Sequence, residues 1–155
     1  MKENRKDILD AVMRAMEIEK DTFDFYTRAG QKTFDQGGKR IFRWLAKTEE
    51  AHYLKLSELY SALEESGRWV FYGGSTISFE EECPGSGCVG FDTNDLEALE
   101  IAIDIEKKGI AYYEELAAKT DDPDGRGMLM TLRDEEIEHL RVITEEYDRI
   151  KKAEG

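Results

Sequence analysis

Two histidines occupy the same four-residue frame at positions 87 residues apart, and they are the only histidines of the chain. The frames are Glu49-x-x-His52 and Glu136-x-x-His139. At about 100° per residue, this spacing places the carboxylate and the imidazole on one face of an α-helix, one turn apart. The repeat therefore predicts two helices that present the same pair of metal-ligating groups.

The same offset relates two more acidic residues and the tyrosines that follow them. Glu19 and Glu106 are 87 residues apart, and each precedes a tyrosine by seven residues, Tyr26 and Tyr113. Two carboxylates and one imidazole per half suit a pair of first-row divalent metals. We therefore predict a dinuclear metal site with six ligands: Glu19, Glu49, His52, Glu106, Glu136 and His139.

Apolar residues follow the same offset without a gap, so residues of about 7–62 match residues of about 94–149. They recur with helical spacing in four blocks, which predicts an all-α fold. A length of 155 residues suits a single domain, 1–155. We expect a helix pair at about 7–66, a crossover at about 67–93 and a second pair at about 94–150.

Short connections make each predicted pair an antiparallel hairpin, and the crossover is long enough to span the bundle. Two hairpins joined in this way form a ferritin-like four-helix bundle. The first helix should stop near Gly30, the second should begin after Gly37-Gly38, and the fourth should have Asp122 as its N-cap. Aromatic residues of the crossover are expected to cover a bundle face or a subunit interface, and the second option favours a homodimer: Trp69, Phe71, Tyr72, Phe79 and Phe91.

The charge balance narrows the choice of partners. The chain has 35 acidic and 22 basic residues and a net charge of -13, which disfavours nucleic acids and anionic membranes and favours cations. No stretch has the length of a membrane span, and no apolar core of a signal peptide follows the N-terminus. We expect a soluble cytoplasmic protein.

On the predicted helices, Glu49 and Glu136 are placed to bridge two metal ions, while Glu19 and Glu106 each serve one ion. Four carboxylates balance the charge of two divalent cations. Without metal, four buried glutamates would repel one another, so some would be protonated or hydrated.

Four further residues are candidates for holding these ligands in place. Tyr26 and Tyr113 are expected to donate hydrogen bonds to ligand carboxylates of the opposite half. Core packing of the two tyrosines is the alternative. Each histidine needs an acceptor for its outer N–H, and we expect Glu135 to serve His52 and Thr48 to serve His139, which would make the two metals unequal.

Cys83 and Cys88 lie in the crossover around a Pro-Gly-Ser-Gly interval. Two cysteines are too few for a disulfide scaffold or a four-thiolate site within one chain. Two ordinary thiols in a loop are one interpretation. A reversible redox pair that passes electrons to the metals, or a four-thiolate site shared in a dimer, is the sharper one.

The six ligands and the two tyrosines resemble those of the rubrerythrin and bacterioferritin branch of the ferritin-like superfamily, over most of the chain. The resemblance implies two iron ions, with manganese or a mixed iron and manganese centre as alternatives. It also implies chemistry with oxygen or hydrogen peroxide in oxidative-stress defence or iron handling.

Two departures from the rubrerythrin pattern modify this expectation. The chain stops at Gly155 without a rubredoxin-like module, so we expect a separate electron-donor protein. Gly109 stands where rubrerythrins usually have an additional glutamate, which makes the six-ligand bacterioferritin-like site a fair comparison. The first expectation is reduction of hydrogen peroxide or oxygen; the alternatives are a ferroxidase or iron-storage protein and a metal-binding bundle without turnover.

Overall fold

A computed structural model describes residues 5–75, 77–79, 83 and 91–154, and the described residues form four long helices without a strand. The helices are α1 (Arg5–Lys32), α2 (Gln36–Ser66), α3 (Leu96–Lys119) and α4 (Pro123–Glu154). A single 3-10 turn, Thr93–Asp95, precedes α3. This confirms the predicted all-α four-helix bundle. Within the described ranges, no helix has both the length and the apolar character needed to cross a membrane.

The helices pack as two hairpins, α1 with α2 and α3 with α4. Residues 33–35 and 120–122 form the connections, which are so short that each pair is antiparallel. Across the bundle, Tyr26 contacts Glu106 and Glu19 contacts Tyr113. From Glu19 to Tyr26, α1 therefore runs past α3 from Tyr113 back to Glu106, so these two helices are also antiparallel. It follows that α2 and α3 run parallel, as the long crossover permits.

Two apolar clusters fill the bundle, with a polar layer between them. Along α2, residues 41–46 belong to the first cluster, Glu49 and His52 come next, and residues 56–63 reach the second. The other three helices follow the same order or its reverse, so the polar residues meet at one level. We call the two groups the Phe42 cluster, which includes Phe42, Leu45, Leu99 and Ile143, and the Leu59 cluster, which includes Val12, Leu59, Leu129 and Leu132.

The crossover packs its aromatic residues against the bundle. Tyr72 and Phe91 are buried, and Phe79 and Trp69 are partly buried against the two clusters. Phe71 differs, because its side chain is 85% exposed. Four of the five aromatic residues therefore cover a bundle face, which is one of the two roles expected for them. Phe71 does not.

Three glycines lie within helices rather than at their predicted ends. Helix α1 continues past Gly30 to Lys32, and α2 already begins at Gln36. A β-carbon at Gly30 would lie 3.3 Å from Phe42 Cβ, so this glycine permits close helix packing. The carboxylate of Asp35 accepts a hydrogen bond from Gly37 N at 2.7 Å, which starts α2 before the glycine pair.

Replacing Gly38 with alanine is expected to destabilise the protein by about 1–3 kcal/mol, because overpacking displaces neighbouring atoms. A β-carbon there would lie 2.7 Å from Thr33 Cγ2 and 2.9 Å from the Phe91 ring. Gly127→Ala is the matched control, since no atom lies within 4 Å of its β-carbon position and alanine favours the helix by about 0.5–1 kcal/mol. Urea denaturation of both variants measures the difference; a G38A protein as stable as G127A would contradict this packing.

Candidate metal centre

The structure brings all six predicted ligands together in the polar layer. Each is at most 3% exposed. They form two overlapping groups whose donor atoms lie within 4.8 Å of one another. One group contains Glu19 and His52, the other contains Glu106 and His139, and both include Glu49 and Glu136. The shared glutamates are therefore the two residues that could contact both ions of a metal pair.

The Nδ1 atom of each histidine faces the cavity. It lies close to one carboxylate oxygen of its own hairpin and to one of the opposite hairpin. The four distances from Nδ1 to oxygen are 3.0 Å (His52–Glu136), 3.4 Å (His52–Glu19), 2.9 Å (His139–Glu49) and 3.4 Å (His139–Glu106). Metal bonds of about 2.1 Å at tetrahedral or right angles place neighbouring donors about 3.0–3.4 Å apart. The observed separations match this range, so the donors could surround a common ion without rearrangement.

Each ligand contributes one buried atom without a hydrogen-bond partner among the described residues. These atoms are Glu19 Oε2, Glu49 Oε1, His52 Nδ1, Glu106 Oε2, Glu136 Oε1 and His139 Nδ1. Buried polar atoms are normally hydrogen-bonded, and an orphaned one costs about 1–3 kcal/mol. The ion-pair distances above show electrostatic contacts among these atoms, but none of the contacts has hydrogen-bond geometry. Six orphaned donors in one cavity fit a pair of metal ions, which would coordinate all of them.

The outer nitrogens of the histidines have different partners. His52 Nε2 lies 2.9 Å from Glu135 Oε1, and His139 Nε2 lies 2.7 Å from Thr48 Oγ1. Thr48 donates its hydroxyl proton to Leu45 O at 2.9 Å, so it accepts from His139. Both histidines therefore donate a hydrogen bond from Nε2, and their Nδ1 atoms face the cavity. A metal ion bound at Nδ1 requires the ring proton to be on Nε2, as these contacts place it.

Each hairpin supplies a tyrosine to a glutamate of the other hairpin. Tyr26 OH donates to Glu106 Oε1 and Tyr113 OH donates to Glu19 Oε1, both at 2.6 Å. Both tyrosines are almost fully buried. They fix one oxygen of each carboxylate and leave the other oxygen directed at the cavity.

Tyr26→Phe is expected to lower the free energy of unfolding of the metal-free protein by about 1–3 kcal/mol, because it removes a donor from a buried carboxylate. It should also weaken metal binding by about 10–100-fold, since Glu106 loses its orientation. Tyr147→Phe is the control, because that hydroxyl bonds Glu100 at the exposed surface. Urea denaturation and zinc titration of both variants test this; equal behaviour of Y26F and Y147F would remove the assigned role of Tyr26.

The four glutamates divide into two electrostatic classes in the metal-free site. Burial raises the pKa of Glu49 and Glu136 well above the ordinary value, and repulsion from the neighbouring carboxylates adds to the effect. Burial alone would also raise the pKa of Glu19 and Glu106, but contacts with His52 or His139 and with the protonated partner carboxyls lower it below the ordinary value. The shared glutamates therefore hold the protons that metal ions must displace.

Glu135 is also held by two crossover residues that the sequence analysis did not assign to the site. Tyr72 OH donates to Glu135 Oε1, and Ser75 N donates to Glu135 Oε2 at 2.9 Å. Burial alone would raise the pKa of Glu135, but the donors His52, Tyr72 and Ser75 lower it to about 2. Trp44 was missed as well: its ring meets that of His139 edge-on at 4.8 Å.

The two cysteines are only partly covered by the structure. Cys83 is buried in the Phe42 cluster and is disulfide-bonded. Cys88, the other cysteine of the chain, lies outside the described residues. A redox role of the pair stays a prediction.

Gly109 lies within α3 beside the cavity. A β-carbon at this position would lie 3.6 Å from Glu136 Oε2, an ordinary contact distance. The structure thus places it against a ligand, although glycine itself offers no side chain for coordination.

Comparison with known proteins agrees with both the motifs and the fold. The family model described as Rubrerythrin matches residues 1–60, a segment that includes Glu19, Glu49 and His52. The chain is thus rubrerythrin-like there, as its motifs predicted. The solved structure of CopM in the Cu(II)-bound form is similar, with a TM-score of 0.61 and 14% identity, over 96% of this chain and 99% of that one. This likeness concerns the fold alone. No curated protein matches the chain.

Proposed function

We propose that this rubrerythrin-like chain holds two iron ions and reduces hydrogen peroxide, with electrons supplied by a separate donor protein. The observation that carries the proposal is the set of six orphaned ligand atoms in two groups that share Glu49 and Glu136. The match of residues 1–60 to the Rubrerythrin model covers one half of this set. The 87-residue repeat supplies the other half.

The donor set supports iron as the metal. Four carboxylates and two imidazoles are mixed oxygen and nitrogen ligands, which suit iron and manganese, whereas sites that select Cu(I) rely on sulfur ligands. Two divalent cations also neutralise four ionised glutamates. With a metal ion at Nδ1, His52 and His139 would be neutral and would add ligands without adding charge.

When bound, two ferrous ions would supply one electron each, which is the pair needed to convert hydrogen peroxide and two protons to two water molecules. The residues of the chain hold the geometry for this reaction. Tyr26 and Tyr113 fix the outer carboxylates, while the Phe42 and Leu59 clusters close the cavity on two sides. Such closure limits competing reactions with bulk water.

Anaerobic loading with ferrous iron, followed by rapid mixing with hydrogen peroxide or with oxygen, tests the proposal. We expect two irons per chain and faster appearance of the diferric absorption with peroxide. Faster oxidation by oxygen with continued iron uptake would instead assign a ferroxidase or storage function. Fewer than two irons per chain would reject the di-iron assignment.

A further inference from the structure

The two halves of the site differ at one repeated position. Thr48 and Glu135 are 87 residues apart, and each directly precedes a shared glutamate, Glu49 or Glu136. Both contact the outer nitrogen of a histidine. The duplicated ligands are thus alike, but the groups behind them are a neutral hydroxyl in one half and a carboxyl group in the other.

The hydrogen bonds define the charge of that carboxyl group. Glu135 accepts from His52 Nε2, from Tyr72 OH and from Ser75 N, and each of these partners offers it a proton. An ionised carboxylate is acceptor-only, so three donors suit the anion. Thr48, by contrast, gives its proton to Leu45 O and meets His139 with an uncharged oxygen.

The crossover adds to this difference, because its residues Tyr72 and Ser75 form hydrogen bonds with Glu135. Gly74 has a φ of 109°, a left-handed conformation that favours glycine, and it precedes the Ser75 amide that reaches Glu135. The Tyr72 ring also meets the His52 ring edge-on, at 5.9 Å. The orientation of the carboxylate behind His52 is therefore fixed from the crossover as well as from α4.

We propose that the two metal positions are unequal and fill in order, the His52 position first, with Glu135 as the positioning residue that sets the order. This inference rests on the proposed dinuclear function and deepens it. An anionic acceptor makes the imidazole a stronger donor and holds its ring, and loss of such a partner costs about 10–100-fold in metal affinity. We expect a separation of about tenfold or more between the two binding steps.

Zinc titration followed by NMR of 15N-histidine resolves the two positions, because the chain has two histidines and thus one set of ring signals for each. In the wild type, the His52 signals should change during the first equivalent of zinc and the His139 signals during the second. Simultaneous change of both sets, or change of His139 first, would overturn the proposal. Absence of zinc binding at both histidines would reject the dinuclear site itself, which is a distinguishable result.

Three variants separate the effect of the Glu135 charge from the effect of the crossover contacts. Glu135→Gln keeps the shape but not the charge, so the order should disappear. Thr48→Val removes the acceptor behind His139, so the separation of the steps should widen. Tyr72→Phe loosens the crossover but keeps the carboxylate, so the order should persist. Loss of the order in Y72F as well as in E135Q would assign the effect to crossover anchoring and overturn the role of the Glu135 charge.

Discussion

Replacing Glu49 with glutamine is expected to abolish binding of the metal pair while leaving the metal-free protein at least as stable as the wild type. Glu49 belongs to both ligand groups, so its loss removes one ligand from each metal position at once. Glutamine has nearly the same shape but lacks the negative charge that a bridging ligand needs. Loss of the second metal should be complete at concentrations that saturate the wild type.

The stability of the metal-free E49Q protein has an electrostatic cause. Burial and the neighbouring carboxylates raise the pKa of Glu49, so ionising it in the wild type is unfavourable. A neutral amide avoids this cost, because it has the charge of the protonated carboxyl and cannot ionise as pH rises. The variant should therefore equal the wild type at low pH and exceed it as pH rises.

The matched control is Glu50→Gln, because Glu50 is the next residue on α2 and is exposed. It removes the same charge but no ligand, so two metals should still bind. Metal content after dialysis and thermal unfolding without metal are the two measurements. Two metals retained by E49Q, or a metal-free E49Q protein clearly less stable than the wild type, would contradict the assigned bridging position.

Removing the metals from the wild type should lower Tm strongly, and the loss should grow as pH rises from about 5 to about 8. At a free metal concentration 1,000 times Kd, each ion stabilises the folded state by about 4 kcal/mol. For a domain of this size, that corresponds to about 8–16 °C per ion, at about 2–4 °C per kcal/mol.

The pH dependence follows from the protons held in the metal-free site. Glu49 and Glu136 have a folded pKa above their unfolded value, and so does His52. Between the unfolded and folded pKa values, the folded state binds more protons, so the stability of the metal-free protein falls as pH rises. Metal binding releases these protons, so metal affinity rises with pH.

The carboxylates with a lowered pKa do not reverse this loss of stability between about pH 5 and about pH 8. The pKa of Glu135 is lowered to about 2, and the pKa of Glu19 and Glu106 is also lowered, so these carboxylates are ionised in both states above about pH 5. Tm measured with and without metal at several pH values tests the prediction. A metal-induced shift that shrinks with pH would contradict the protonated state of the shared glutamates.

The six candidate ligands could be found from the sequence because their spacing carries two signals. Helical spacing puts Glu49 and His52 on one face, and the 87-residue repeat finds the second half independently. Together, these constraints predict that six polar residues lie on the otherwise apolar inner faces of the four helices. In the structure, those residues meet at one level of the bundle. The partners Glu135 and Thr48 were predictable for the same reason, since each lies beside a ligand on the same helix.

The contacts of the crossover were not predictable, because this segment has no helical period and no counterpart in the repeat. Tyr72 and Ser75 reach Glu135 across at least 60 residues of sequence. Trp44 has the spacing of an ordinary core residue, so nothing in the sequence indicates that it packs on His139. The start of α2 was misplaced because glycine pairs usually end helices, whereas here Gly38 permits contact with Phe91.

The crossed hydrogen bonds from Tyr26 to Glu106 and from Tyr113 to Glu19 mean that neither hairpin completes a half-site alone. Two free copies of one hairpin would have to find each other at cellular concentration and would be identical at every position. A covalent tether replaces this encounter with a high effective concentration and fixes the stoichiometry. It also allows the two halves to differ, as they do at Thr48 and Glu135, whereas two identical copies would carry the same residue at both positions.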